Sequence, residues 1–227
     1  MSSVDSPRAV VFDLDGLMFN TEELYQDVGA ELLRRRGHEF GPDLLDAMMG
    51  RPNRVALQIM IDWHGLQDTV DVLTTETAEI FPAILDTRLS PMPGLIALLA
   101  TLERHGVPKA IATSSGKSFV DNVLGRFDFH PRFEFILTAE SVRDGKPHPE
   151  VYLLAAARFE VEPRQMAVLE DSENGCKAAV AAGARVIAVP GGPSHNHEFL
   201  GAKLVASGLS DPRVYELLGL PQPNRES

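Results

Sequence analysis

The chain has 227 residues, of which 44% are hydrophobic and 23% are charged, as is ordinary for a globular protein with a full core. Its formal net charge of −11 opposes binding to nucleic acid or to an anionic membrane. The single cysteine, Cys176, excludes an internal disulfide and suits a reducing compartment. No signal-peptide pattern and no apolar run of membrane-spanning length is present, so we expect a cytoplasmic protein.

The apolar run at residues 9–12 predicts the first strand, because a short run that barely alternates is typical of a strand buried on both faces of a parallel sheet. Asp13 and Asp15 follow it, at the end of the strand where open α/β sheets place their ligands. Residues two apart in extended backbone point to the same side, so both carboxylates can face one reacting centre. That arrangement suits one carboxylate as nucleophile and the other as proton donor or acceptor.

Three other interpretations of this acidic pair compete with a reactive site, and the first, a solvated acidic face, is disfavoured directly after a buried strand. Acids before a glycine are also common in simple turns. A calcium-binding EF-hand loop fits poorly, because counting from Asp13 its glycine would fall at Met18 and its bidentate glutamate at Leu24. The choice between a turn and a reactive site therefore depends on what the other strand ends carry.

The spacing after the acidic pair becomes helical. Thr21 can cap a helix whose basic end, residues 34–36, precedes Gly37, and we interpret that end as a solvated terminus. Further helices are predicted at residues 42–49, 53–64, 69–86 and 94–105. Residues 20–88 are therefore predicted to form a small all-helical domain inserted after the first strand.

Strand and helix patterns alternate from Gly106 onward, which predicts a parallel sheet with crossover helices. Strands are expected at residues 108–112, 134–138, 166–170, 185–189 and 203–206. Helices are expected at residues 117–126, 148–159, 173–182 and 211–218. The predicted fold is thus α/β, a doubly wound parallel sheet built from residues 1–19 and 89–227.

Three of these later strands end in residues that can support chemistry. Thr113 and Ser114 follow the second strand at a helix N-terminus, which is a natural anion site, although both residue types are also common caps. Lys146 follows the third strand and could also be a solvated loop lysine. Glu170 and Asp171 end the fourth strand, where acids are costly unless a cation or hydrogen bonds balance them. In the alternative interpretation, these two acids have no role in a site and only stabilise the N-terminus of the next helix.

Taken together, these loops open on one edge of one sheet and offer carboxylates, hydroxyls and a lysine. Hard oxygen ligands favour Mg²⁺, which keeps some waters and accepts one oxygen of a substrate phosphate. The sequence therefore predicts a phosphate site that uses Mg²⁺.

Four segments, in this order, resemble motifs of the haloacid dehalogenase superfamily of phosphohydrolases: Phe12-Asp-Leu-Asp-Gly, Ala112-Thr-Ser-Ser, Gly145-Lys-Pro-His-Pro and Leu169-Glu-Asp-Ser-Glu-Asn-Gly. The resemblance covers nearly the whole chain. It is nearest to the branch with a helical cap, which includes β-phosphoglucomutase, phosphoglycolate phosphatase and pseudouridine-5′-phosphate or sugar-phosphate phosphatases. It implies a Rossmann-like core, a cap at residues 20–88 and Mg²⁺-dependent hydrolysis of a small phosphorylated metabolite.

The resemblance also implies roles for individual residues. Asp13 would attack phosphorus to form an aspartyl-phosphate, and Asp15 would protonate the leaving oxygen and then activate water. The phosphoryl oxygens would be held by Thr113, the Ser114 backbone and Lys146. The implied Mg²⁺ ligands are Asp13, the main-chain carbonyl of Asp15 and Asp171, with Glu170 binding the ion or orienting a water beside it.

Departures from the family pattern help to choose among its activities. Dehalogenases lack the second acid, so Asp15 argues against carbon–halogen cleavage. Members that cleave phosphonates use a cap lysine, and residues 20–88 contain no lysine. β-Phosphoglucomutase usually has histidine where this chain has Tyr25 and arginine where it has Asn53, which weakens the mutase alternative. Nearby arginines could substitute, so that alternative stays open.

Substrate choice is expected to lie in the cap and in the loop that enters it. The candidate residues are Met18, Asn20, Glu22, Tyr25, Arg51 and Arg54, although the two arginines could be ordinary surface charges. We favour a phosphatase for a sugar phosphate or similar phosphomonoester, acting as a monomer or weak homodimer. A non-catalytic phosphate-binding module on the same fold is the remote alternative.

Overall fold

A computed structural model of the protein describes residues 6–48, 53–192, 194 and 197–222. The chain divides into two compact units, one comprising Met1–Asn20 and Pro91–Ser227 and the other comprising Thr21–Ser90. We call these the core unit and the helical unit.

Within the described residues, the helical unit consists of four helices. They are α1 (Thr21–Arg34), α2 (Pro42–Met48), α3 (Asn53–His64) and α4 (Val70–Arg88). Apolar side chains at helical spacing, such as Leu24, Val28 and Leu32 on α1, are buried in this unit. The predicted helices are confirmed, and α4 ends at residue 88 where residue 86 was expected.

The basic end of α1 differs from its prediction. Arg34 is exposed as expected, but the side chain of Arg36 is only 14% exposed. Its guanidinium donates to Asp68 at 2.8 Å and to Glu76 at 2.7 Å. The interpretation of the whole run as a solvated terminus was therefore wrong, because the two acids come from sequence-distant positions that helical spacing cannot foresee.

In the described part of the core unit, six strands form a parallel sheet with helices packed on it. The strands are β1 (Ala9–Phe12), β2 (Lys109–Ala112), β3 (Ile136–Leu137), β4 (Met166–Glu170), β5 (Arg185–Ala188) and β6 (Leu204–Val205), in the spatial order β3-β2-β1-β4-β5-β6. The helices are α5 (Leu95–Arg104), α6 (Lys117–Gly125), α7 (Glu150–Arg158), α8 (Glu173–Ala181) and α9 (Pro212–Leu218). This arrangement confirms the predicted doubly wound α/β fold.

Strand β1 lies in the middle of the sheet, between β2 and β4. All four of its residues are fully buried, as expected for an apolar strand covered on both faces. Parallel pairing places Phe12 level with Leu169 of β4. The next residues along the chain, Asp13 just after β1 and Glu170 at the last position of β4, therefore lie side by side.

The elements of the core unit begin and end within two residues of their predicted bounds, and the largest differences are at β3 and α7. β3 spans two residues where five were expected, and it is an edge strand that pairs only with β2. α7 begins at Glu150 instead of residue 148. A residue that precedes proline disfavours helical backbone, so His148, before Pro149, cannot begin the helix.

The chain turns sharply after the acidic pair. Gly16 has φ +73°, a left-handed conformation that favours glycine, and its N–H donates to the carbonyl of Phe19 at 3.0 Å. The N–H of Met92, where the chain re-enters the core unit, donates to the Met18 carbonyl at 2.8 Å. The departing and returning segments are thus hydrogen-bonded to each other inside the core unit.

Among the residues that the structure describes, no helix combines the length and the apolar character needed to cross a membrane.

Candidate active site

The centre of the candidate site is a buried lysine held by two carboxylates. The Lys146 ammonium lies 2.5 Å from Asp13 Oδ1 and 2.6 Å from Glu170 Oε1, and it also donates to the Ala112 carbonyl at 2.9 Å. These three acceptors use all three donors of an ammonium group. The structure thereby brings together residues from the ends of β1, β2 and β4 with the loop before α7.

Burial dominates the electrostatics of this group. It raises the pKa of Asp13 well above its usual range; the Lys146 ammonium opposes that rise, while Glu170 and Asp15 add to it. Burial alone would lower the pKa of Lys146, but the carboxylates of Asp13 and Glu170 outweigh it and hold that pKa well above its ordinary value. Lys146 is therefore a permanent cation held between two acids.

A third buried carboxylate completes an acidic group around this lysine. One carboxylate oxygen each from Asp13, Glu170 and Asp171 can be chosen so that these three atoms lie within 4.8 Å of one another. Carboxylate oxygens are donors that Mg²⁺ prefers, and a divalent cation beside them would favour the ionised form of Asp13 that burial disfavours. The donor set present therefore fits Mg²⁺.

Glu170 is the most tightly held of these acids. It is fully buried, and its Oε1 accepts hydrogen bonds from Lys146 and from the hydroxyl of Tyr152. Its Oε2 lies 3.1 Å from the Ser172 hydroxyl, which donates to it. Burial and the neighbouring Glu170 carboxylate raise the pKa of the Tyr152 hydroxyl well above its ordinary value, so this hydroxyl stays a donor.

Gly175 makes room for the Glu170 carboxylate. A Cβ atom at position 175 would lie 1.9 Å from Glu170 Oε1, closer than any real contact allows. The glycine on the first turns of α8 is therefore required by the carboxylate that packs against it.

We expect Gly175→Ala to displace Glu170 and to break its bonds with Lys146 and Tyr152. The free energy of unfolding should fall by about 1–3 kcal/mol, the usual cost of overpacking. Denaturant unfolding measures this. Gly125→Ala is the matched control, because Gly125 is also helical and a Cβ there would meet nothing within 4 Å. Equal stability of the two variants would contradict the assigned crowding.

The hydroxyl-rich loop after β2 holds the second acid of the pair. Ser115 Oγ donates to Asp15 Oδ2 at 2.6 Å, and Thr113 Oγ1 lies 3.3 Å from the same oxygen. The Ser115 N–H donates to Thr113 Oγ1 at 3.0 Å. Thr113 is buried and Ser114 is exposed, and both line a cavity of about 180 Å³ together with Lys146.

Three of the described residues proposed for substrate choice belong to the helical unit. Glu22 and Tyr25 lie on α1 and Arg54 lies on α3, all in the helical unit, and Arg51 lies outside the described residues. The ring of Tyr25 stacks on Phe81, with centroids 4.8 Å apart. Arg54 donates to Asp71 at 2.7 Å, and both side chains are exposed, as in an ordinary surface pair. In the core unit, Met18 is buried and Asn20 is half-buried.

Sequence reasoning missed three residues that support the site. Ser115 stands within the quoted Thr-Ser-Ser motif, and its contact with Asp15 could have been considered there. Tyr152 follows Lys146 by six residues, and only the direction of α7 reveals that its hydroxyl reaches Glu170. Gly175 also lies in a quoted motif, but a sequence does not show which atoms a missing side chain makes room for.

The chain is similar to known proteins in both sequence and fold. The sequence profile of haloacid dehalogenase-like hydrolases matches residues 10–189. The chain is 34% identical over 217 residues to the bifunctional riboflavin kinase/FMN phosphatase of Arabidopsis thaliana, covering 93% of this chain and 56% of that protein. It is 31% identical over 176 residues to the phosphorylated carbohydrates phosphatase of Thermotoga maritima, covering 78% and 82% respectively.

A solved structure shares the same fold. The HAD family hydrolase of Deinococcus radiodurans R1, crystallised with bound phosphate and sodium, matches with a TM-score of 0.80 at 27% sequence identity. The match covers 96% of this chain and 100% of that one.

Proposed function

Because the chain belongs to the haloacid dehalogenase-like hydrolase family and is a phosphoric monoester hydrolase, we propose that it removes phosphate from a small phosphorylated carbohydrate in an Mg²⁺-dependent reaction. The observation that carries the proposal is the contact of one buried ammonium, Lys146, with both Asp13 and Glu170. Phosphoryl transfer needs mainly alignment and neutralised charge, and this arrangement supplies a fixed cation beside a fixed carboxylate.

We assign the nucleophile to Asp13. A carboxylate oxygen of Asp13 attacks phosphorus, the bond from phosphorus to the leaving oxygen breaks, and Asp15 gives that oxygen its proton. Asp15, now ionised, takes a proton from a water that attacks the aspartyl-phosphate, and the bond from phosphorus to Asp13 breaks. The hydrogen bonds from Ser115 and Thr113 support this role, because they keep the Asp15 carboxylate beside the site.

The other proposed roles concern charge. Thr113, the Ser114 backbone and Lys146 hold the phosphoryl oxygens. Asp13, Asp171 and the Asp15 carbonyl would hold Mg²⁺, with Glu170 as an outer partner that orients a water beside the ion. When bound, Mg²⁺ neutralises charge on the transferring phosphoryl group. Lys146 also lessens the repulsion that buried carboxylates would otherwise exert on a phosphate dianion.

The substrate class rests on relatives. The Thermotoga protein is named a phosphatase of phosphorylated carbohydrates, and this chain covers 82% of it. The Arabidopsis protein is named as acting on FMN, which also carries its phosphate on a polyol chain, and the chain spans 56% of that protein. We therefore propose a phosphomonoester of a sugar or polyol. A cytoplasmic location and a monomer or weak homodimer stay predictions.

The test is release of inorganic phosphate across a panel of substrates, run with Mg²⁺ and again with excess chelator. The panel comprises sugar and polyol phosphates, FMN, nucleotides, phosphoglycolate, pseudouridine phosphate and β-glucose-1-phosphate. We expect release from a few related sugar or polyol phosphates, and its loss in chelator.

Other outcomes would redirect the proposal. Undiminished release in chelator would remove the Mg²⁺ requirement. Conversion of β-glucose-1-phosphate to the 6-phosphate isomer only when a bisphosphate primer is added, without phosphate release, would identify a phosphomutase. The absence of both phosphate release and isomerisation would favour a non-catalytic phosphate-binding module.

A further inference from the structure

Tyr152 stands out among the buried residues of the core unit because its hydroxyl reaches the acidic group. The hydroxyl donates to Glu170 Oε1, the same oxygen that accepts from Lys146 at 2.6 Å. The Tyr152 ring lies under the Lys146 ammonium, which is 5.2 Å from the ring centroid. One side chain therefore contacts both the anion and the cation at the centre of the site.

A purely structural explanation would treat Tyr152 as a packed aromatic residue. The chain offers an internal comparison, because Tyr215 on α9 is equally buried. Among the described residues, the Tyr215 hydroxyl has no hydrogen-bond partner. A tyrosine kept for its ring alone is thus present in this core, and Tyr152 differs from it by donating to a carboxylate of the site.

The hydrogen bonds to Glu170 fix its orientation completely. A carboxylate has about four lone-pair positions. Glu170 accepts from Lys146 and Tyr152 on one oxygen and from the Ser172 hydroxyl and N–H on the other. Because the side chain is fully buried, water cannot replace a donor that is removed.

We propose that Tyr152 is a positioning residue, which fixes the Glu170 carboxylate relative to Asp13 and Asp171 and thereby sets the affinity of this acidic group for a divalent cation. The inference deepens the proposed function and rests on it. Without the tyrosine hydroxyl, the Glu170 carboxylate keeps its donors from Lys146 and Ser172 but loses the one that fixes its Oε1 from the side of α7, so its present orientation is less populated. Loss of such outer partners typically weakens metal binding by about 10–100-fold.

The test measures cation binding directly and without substrate. Metal-free protein is titrated with Mn²⁺, which prefers the same oxygen ligands as Mg²⁺. The concentration of free Mn²⁺ is measured from its electron paramagnetic resonance signal. We expect Tyr152→Phe to raise the Kd for Mn²⁺ by about tenfold. The variant keeps the ring beside Lys146 and removes one oxygen atom only.

Tyr215→Phe is the matched control, and its Kd should stay at the wild-type value. It reports any general effect of removing a buried tyrosine hydroxyl from this core. A Kd for Tyr152→Phe within about twofold of wild type, or an equal weakening in both variants, would overturn the proposal.

A second set of variants tests whether Tyr152 acts through Glu170. In a Glu170→Gln background, Tyr152→Phe should change the Kd little, because the charge that the hydroxyl orients is gone. A full additional tenfold loss in the double variant would contradict positioning through Glu170. Failure of the substrate panel would leave these Kd values unaffected, so the failure of the proposed function and that of this inference are distinguishable.

Discussion

Asp13→Asn is expected to lower phosphate release by at least about 1,000-fold, as loss of a catalytic nucleophile does in other hydrolases. The amide keeps the size of the carboxylate and one oxygen that can accept from Lys146, but an amide oxygen is too weak a nucleophile to attack phosphorus. The reaction should therefore stop before the first bond forms.

The fold should survive this substitution. Burial raises the pKa of Asp13, which means that its charged form is unfavourable in the folded state. A carboxyl group with a raised pKa contributes stability at low pH that is lost as the pH rises through that pKa. A neutral amide removes this cost at neutral pH, so thermal unfolding should stay cooperative and near the wild-type midpoint.

Phosphate release and thermal unfolding are measured on the same preparations. Asp121→Asn makes the same chemical change on the exposed surface of α6, where Asp121 pairs with Lys117, and it should leave turnover unchanged. Wild-type turnover in Asp13→Asn would refute the aspartyl-phosphate mechanism. Equal losses in both variants would show a preparation effect instead of a catalytic one.

Lys146→Met is expected to have the largest effect on stability. The substitution leaves Asp13 and Glu170 buried without their cation, and breaking a buried pair in this way costs about 3–5 kcal/mol. Phosphate release should also be lost, because the cation that holds the phosphoryl oxygens is gone.

The loss should depend on pH in a defined direction. Without Lys146, the pKa of Asp13 rises further, because the ammonium is the main influence that lowers it. The folded variant then binds protons more readily than the unfolded chain does, so its stability is greater at low pH and falls as the pH rises. The deficit relative to wild type should be larger at pH 8 than at pH 5.

Denaturant unfolding at the two pH values checks this expectation. Lys177→Met is the matched control, because Lys177 pairs with Glu173 on the exposed surface of α8. Exposed pairs of this spacing contribute only about 0.3–0.5 kcal/mol. A similar small loss in both variants, or a deficit that does not change with pH, would contradict the buried ion cluster.

The sequence was sufficient for the parts of the fold that depend on local pattern. The apolar run of β1 predicts its burial, and the acids, hydroxyls and lysine at the strand ends do meet at one edge of the sheet. Register explains this success, because the level pairing of β1 with β4 brings Asp13 beside Glu170 without any information from the loops.

The failures share one physical origin. Arg36 was expected in solvent, yet its partners Asp68 and Glu76 come from outside α1. Tyr152 and Gly175 lie on helices, and their roles depend on which face of each helix meets Glu170. The environments of these residues are set by contacts between elements that are distant in sequence. Neither the helical period nor the spacing of motifs predicts such contacts.

The hydrogen bond between Met92 and Met18 has a consequence for how this protein could be rebuilt. It joins the two ends of the segment that leaves and re-enters the core unit, and both partners belong to that unit. Loop-closure entropy grows slowly, at about 0.6 kcal/mol for each doubling of length. An insert of different length or sequence between these two ends should therefore change the loop-closure free energy of the core unit only slightly.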